Sequence, residues 1–199
     1  MNAPAAVERY RQHTPYTRPE GSAAFLRTLP ADPVALAGAV RGRVVHYVAS
    51  GLTFPPERLA EIDSRWTSRI LERLQERDPA PLDRPREADS CFVGCCRDFT
   101  LLFVAAAREH GLAARSRVGF APYLYDGWAF DHVVAEYWHD DDERWVRVDV
   151  QVDPAQAQVD VADLGTGAGS PFRTASHVWL DHRAGRLGAA DLEKFGVSP

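Results

Sequence analysis

The chain has 199 residues, of which 45% are hydrophobic and 26% charged, with a net charge of −5. Such a composition is that of an ordinary globular protein, and the acidic balance gives no electrostatic case for binding nucleic acid or an anionic membrane. No stretch approaches the roughly 20 apolar residues that a membrane span needs, and the opening MNAPAAVERYRQH lacks the basic and apolar regions of a signal peptide. The three cysteines, Cys91, Cys95 and Cys96, make no disulfide framework, so a reducing cytoplasm is the expected compartment.

Residues 1–30 read as an irregular arm with one helical turn at 23–28. Residues 33–50 read as a helix with Asp32 as its N-cap. From Pro56, apolar residues at Leu59, Ile62, Trp66, Ile70 and Leu74 predict one amphipathic helix, with Trp66 facing the core. A proline-rich connection, DPAPLDRPREADS, follows. Next comes RDFTLLFVAAAREHG, which has almost no polar face and ends on Gly111. This predicts a helix buried on most sides, closed by a C′ glycine. Cys96 stands at its start. Unpaired N–H groups and the positive end of the helix dipole favour a thiolate there, which makes Cys96 a candidate nucleophile; otherwise it is a small apolar residue filling a helix start.

After Gly111 the pattern becomes strand-like around Arg115 to Phe120, and DGWAF interrupts it. DHVVAEYW and RWVRVDVQV then predict two antiparallel strands joined through the solvated loop at 140–142. If Trp138 pairs with Glu143, a four-residue loop remains and His132 lies directly opposite Asp149, within reach of a hydrogen bond. Only an even loop keeps the two on one face. Beyond Asp153 the chain is expected to be irregular. A last helix is expected over 174–183, and Phe195 should pack back on the body.

A cysteine at a helix start, with a histidine and a carboxylate on one sheet face, is the set that thiol acyl transfer requires. The sulfur attacks a carbonyl, the imidazole moves the proton, and the carboxylate orients the ring. The Cys96 N–H is a natural oxyanion donor. Taken singly, His132 and Asp149 also fit structural roles in a strand, and Asp131 a cap or turn. Cys91 and Cys95 read as packed thiols, since a vicinal pair is an awkward zinc chelate.

GCCRDFTLLFVAAAREHGLAARSRVGF, DHVVAEYW and ERWVRVDVQVD, in that order, resemble the transglutaminase-like superfamily. The likeness is strongest to a small bacterial branch whose core reads GNCRDF, then DHWVCEYW, then ERWVLVDAQLD. It implies a papain-like α+β fold in which a Cys-bearing helix packs on an antiparallel sheet beside N-terminal helices. It also implies a Cys-His-Asp triad, at Cys96, His132 and Asp149. The chain is expected to form one domain, 1–199, with its catalytic core at 90–153. The implied reaction is acyl transfer on an amide or ester through a thioester, with a small molecule or peptide as substrate and no metal or organic cofactor. The alternative is a binding protein that retains the fold. This chain departs from the branch at Cys95 (usually Asn), Val133 (usually Trp) and Ala113 (usually Pro), all beside the triad, which leaves substrate choice open. Tyr123, Tyr125 and Trp128 are candidate substrate contacts, as are Arg97 and Trp66. Trp66 or Tyr47 could supply an oxyanion donor. Arg97, Arg115 and Arg117 are expected to pair internally with Asp98 and Glu136.

Overall fold

A computed structural model describes residues 5–197. The arm is more helical than its composition suggests, with α1 at Ala5–Glu8 and α2 at Ala23–Leu26, each followed or preceded by a 3-10 turn. Helix α3 spans Pro33–Arg41, and Asp32 Oδ1 caps it by accepting from the Ala35 N–H at 2.8 Å. The helix ends at Gly42 and does not run on to residue 50. Val44–His46 instead forms strand β1, parallel to β2 at Phe92–Gly94. Val44 and Val45 are β-branched and suit a short buried strand as well as a helix.

The amphipathic run from Pro56 is also broken. Helix α4 at Pro56–Leu59 passes through a 3-10 turn, and α5 begins only at Thr67 and runs to Arg77. The break falls at Arg65, whose φ is +58°. Its physical reason is Glu61, which is 6% exposed and turned inward. Its carboxylate accepts from Arg58 at 2.8 Å, from the Val93 N–H at 2.9 Å and from Arg77. A continuous helix would have left Glu61 on its polar face. Trp66 correspondingly leaves the core: it is 43% exposed and stacks on Tyr16.

Helix α6 spans Cys96–Glu109, between α3 and α5 on one side and the sheet on the other. Its run from Phe99 to Ala107 is buried. Asp98 at the third position accepts from the Cys95 N–H at 2.9 Å. At the far end Gly111 has φ +80°, and Leu112 N–H reaches the Ala107 carbonyl at 2.8 Å while Gly111 N–H reaches that of Arg108 at 2.9 Å. This is the Schellman closure that a C′ glycine permits.

The main sheet is ordered β5-β4-β3-β6, with β7 alongside β4. Here β3 is Ala114–Tyr125, β4 Trp128–His139, β5 Arg144–Val148, β6 Arg173–Thr174 and β7 Phe195–Gly196. The interruption at DGWAF is confined to its first two residues, and β4 starts at Trp128. Asp126 and Gly127 form a tight hairpin turn, with Tyr125 opposite Trp128, and Asp131 sits within β4 opposite Phe120. The β4–β5 pairing sets His139 opposite Arg144, leaving a four-residue loop as expected but with the register moved by two. His132 and Asp149 are therefore diagonal rather than directly opposite, and an even shift keeps both on one face. Gly119 lies between His132 and Thr174; a Cβ there would overlap the Arg173 carbonyl, so only glycine lets β6 approach. The last helix, α7 at Ala175–Arg183, is capped by Thr174 Oγ1, and α8 spans Ala189–Leu192. Phe195 packs edge-on against Phe120 at 4.9 Å. No helix among the described residues is long and apolar enough to cross a membrane.

Candidate active site

Asp149 follows β5 directly and is fully buried. Four donors surround its carboxylate. His132 Nε2 lies at 2.9 Å and Tyr123 OH at 2.7 Å from one oxygen. The N–H groups of Gln151 and Val152 reach the other at 3.0 and 3.2 Å. Burial works against the charge, but His132, Tyr123 and the Val152 N–H outweigh it, and the carboxyl is held below its ordinary range. His132 is 3% exposed and, with Nε2 committed to Asp149, has Nδ1 as its other ring nitrogen.

Cys96 is the first residue of α6 and is half-buried. The backbone of Val133, the residue after His132, favours the charged form of its sulfur. Thr100 Oγ1, one turn along α6, donates to the Val133 carbonyl at 2.8 Å and ties helix to strand at this point. Cys95 and Cys96 stand next to each other at the helix start, and each affects the titration of the other. The neighbouring Cys96 side chain is the largest influence on Cys95 and lowers it to about 7. The Cys95 side chain in turn raises Cys96, and burial adds to the rise. Where one of two adjacent sulfurs carries a charge, the other is held neutral.

His46 was hidden from sequence reasoning because β1 reads as helix. Its Nδ1 accepts from the N–H groups of Val48 and Ala49 at 3.1 and 3.0 Å, which puts its proton on Nε2. Burial, then the proximity of His132, lowers its pKa. His46, Phe99 and Tyr123 line a groove of about 450 Å³ that also reaches Arg41, Gln151 and Asp153.

The remaining sequence candidates disperse. Tyr123 alone of the aromatic set reaches the triad; its burial and the Asp149 charge push its hydroxyl pKa up. Tyr125 stands edge-on to Phe130 at the hairpin tip, and Trp128 Nε1 donates to the Gly196 carbonyl at 3.3 Å. Arg97 pairs with Asp98 at 3.2 Å and donates to the Ile62 carbonyl, so it is engaged internally. Arg115, Arg117 and Arg147 converge on Glu136, the first two at 2.7 Å and the third at 2.8 Å. Trp66 makes no hydrogen bond to Cys96, His132 or Asp149, and Tyr47 stacks on His46 at 5.1 Å. Cys91 is a packed thiol that donates to the carbonyls of Gly42 and Glu87. Among the described residues, no three His, Cys, Asp or Glu side chains gather so as to hold a metal ion.

The family model of the transglutaminase-like superfamily matches residues 43–150, from the start of β1 to just past Asp149. The chain belongs to the transglutaminase-like superfamily. Among solved structures, a "Putative Cysteine Protease" from Cytophaga hutchinsonii is similar, with a TM-score of 0.52 and 16% identity over 81% of this chain and 47% of that one. This superfamily member thus spans about half the length of that protein, and the likeness establishes a shared papain-like α+β fold. No curated protein matches the chain. Superfamily membership and fold together support a papain-like cysteine enzyme in general terms.

Proposed function

We propose that this protein carries out acyl transfer on an amide or ester, with Cys96 as nucleophile, His132 as general base and acid, and Asp149 as the group that orients the ring. The observation that carries this reading is the buried His132–Asp149 hydrogen bond, held beside the start of α6 where Thr100, one turn from Cys96, donates to the Val133 carbonyl. The Cys96 sulfur forms a bond to the substrate carbonyl carbon while its proton passes to His132, and the carbonyl electrons move to oxygen. The Cys96 N–H, at the first helical position, donates to that oxyanion. Collapse breaks the C–N or C–O bond, and the leaving group takes the proton from His132. Water or an amine then attacks the thioester, His132 removes its proton, and the C–S bond breaks to return the thiol. Water makes the protein a hydrolase, an amine a transferase. The unit that acts is the whole chain, with residues 90–153 as catalytic core. Its three free cysteines suit a reducing cytoplasm.

The test is acylation by p-nitrophenyl acetate followed by peptide mapping. The expected result is a transient acetyl group on Cys96 and none on Cys91, lost in Cys96→Ala. Absence of any acetyl-Cys96 in folded protein at neutral and mildly alkaline pH contradicts the proposal.

A further inference from the structure

Four buried side-chain polar atoms among the described residues have no hydrogen-bond partner, and two of them, Arg41 Nε and Gln151 Oε1, line the same groove. The whole Arg41 guanidinium makes neither a hydrogen bond nor an ion pair among those residues. The strongly buried arginines, by contrast, are engaged: Arg43 with the Leu82 carbonyl, Arg86 with three carbonyls, Arg108 with the Ala114 carbonyl, and Arg147 with Glu136. A half-buried cation left without a partner is costly, and burial accordingly pulls its pKa down. Asp153 and Asp149 offset this only at longer range. The groove, at about 450 Å³, lies within the roughly 300–1,000 Å³ usual for small-ligand sites. It adjoins the triad through Tyr123, whose hydroxyl bonds Asp149, and through Phe99, one turn from Cys96 on α6.

We propose that this groove holds the carboxyl end of a peptide or N-acyl amino acid, with Arg41 pairing with the terminal carboxylate and Gln151 Oε1 accepting the neighbouring amide N–H. The charge balance selects a monoanion. The guanidinium carries one positive charge and Asp153 and Asp149 lie only at longer range, so it matches one carboxylate and leaves the second charge of a phosphate dianion uncompensated. An acceptor oxygen beside Asp153 likewise selects an N–H donor. The proposal rests on the acyl-transfer reading, for which it names a substrate class.

The test is calorimetric binding to the Cys96→Ser protein, with N-acetyl-alanyl-alanine and its C-terminal carboxamide as probes. The expected result is at least about tenfold tighter binding of the acid, a preference lost in Arg41→Gln and partly kept in Arg41→Lys. Gln151→Leu is expected to weaken acid and amide alike. Equal binding of the two probes, no saturable binding of the acid, or a preference that survives Arg41→Gln overturns the proposal. Binding is read without turnover, so the two readings fail separately. A carboxylate preference with an unreactive Cys96 removes the acyl-transfer reading, and a reactive Cys96 without the preference removes the substrate class.

Discussion

Asp149 shows how a buried charge is kept ionised: four donors replace the water it has lost. Tyr123→Phe removes one of them and leaves the others. A hydrogen bond to a charged acceptor contributes about 1.5–3 kcal/mol, so urea denaturation at pH 7 should show a loss of that size; an unchanged midpoint would mean the Tyr123 bond is not formed. Cys95 is the other informative residue. Its sulfur is the largest cause of the upward shift at Cys96. Cys95→Ala should therefore move the pH–rate profile of Cys96 alkylation to lower pH. An unmoved profile would show that the two sulfurs titrate independently. This departure from the asparagine usual in the resembling branch places a second titrating sulfur beside Cys96.

At the scale of elements, Glu61 holds the entry to α6. It fastens β2, α4 and α5 through Val93, Arg58 and Arg77. Glu61→Ala should cost about 3 kcal/mol, the low end for breaking a buried charge cluster, because both arginines keep some solvent contact. Chemical denaturation measures this, and a loss within the usual surface range of about 0.5 kcal/mol would refute it. The same residue marks a boundary of what the sequence makes legible. Helix α6 was readable because its apolar run and Gly111 agree, and the β4–β5 hairpin because its residues and its acidic loop agree. The face shared by His132 and Asp149 was readable too, since parity survives a register shift of two. The break at Arg65 and the burial of Glu61 were not, because a charge at helical spacing ordinarily lies in water. Strand β1 was hidden for a related reason: three residues are too few for a period, and their pairing with β2 is non-local. Losing β1 concealed His46, and the groove residues Arg41 and Gln151 meet only in the folded chain.

Across the whole molecule, the carboxyls of Asp149 and Glu136 are both held below their ordinary range. For each, burial is opposed and outweighed by partners: His132 and Tyr123 for the first, Arg117, Arg147 and Arg115 for the second. A depressed carboxyl contributes stability that is present above the unfolded value, near pH 4, and lost as pH falls through the folded value. Stability should therefore fall steeply with pH below about 4, and less steeply in Asp149→Asn than in the unaltered protein. Urea midpoints between pH 7 and pH 2 measure both slopes. Equal slopes in the two proteins would show that Asp149 is not depressed in the folded state.

The central claim is that His132 activates the Cys96 sulfur. Site-resolved iodoacetamide labelling at pH 7, followed by mass spectrometry in the unaltered protein and in His132→Ala, measures this directly. The account predicts labelling at Cys96 far faster than at buried Cys91, and about 10²-fold slower labelling of Cys96 once the imidazole is gone. A Cys96 rate that does not change when His132 is removed would contradict it.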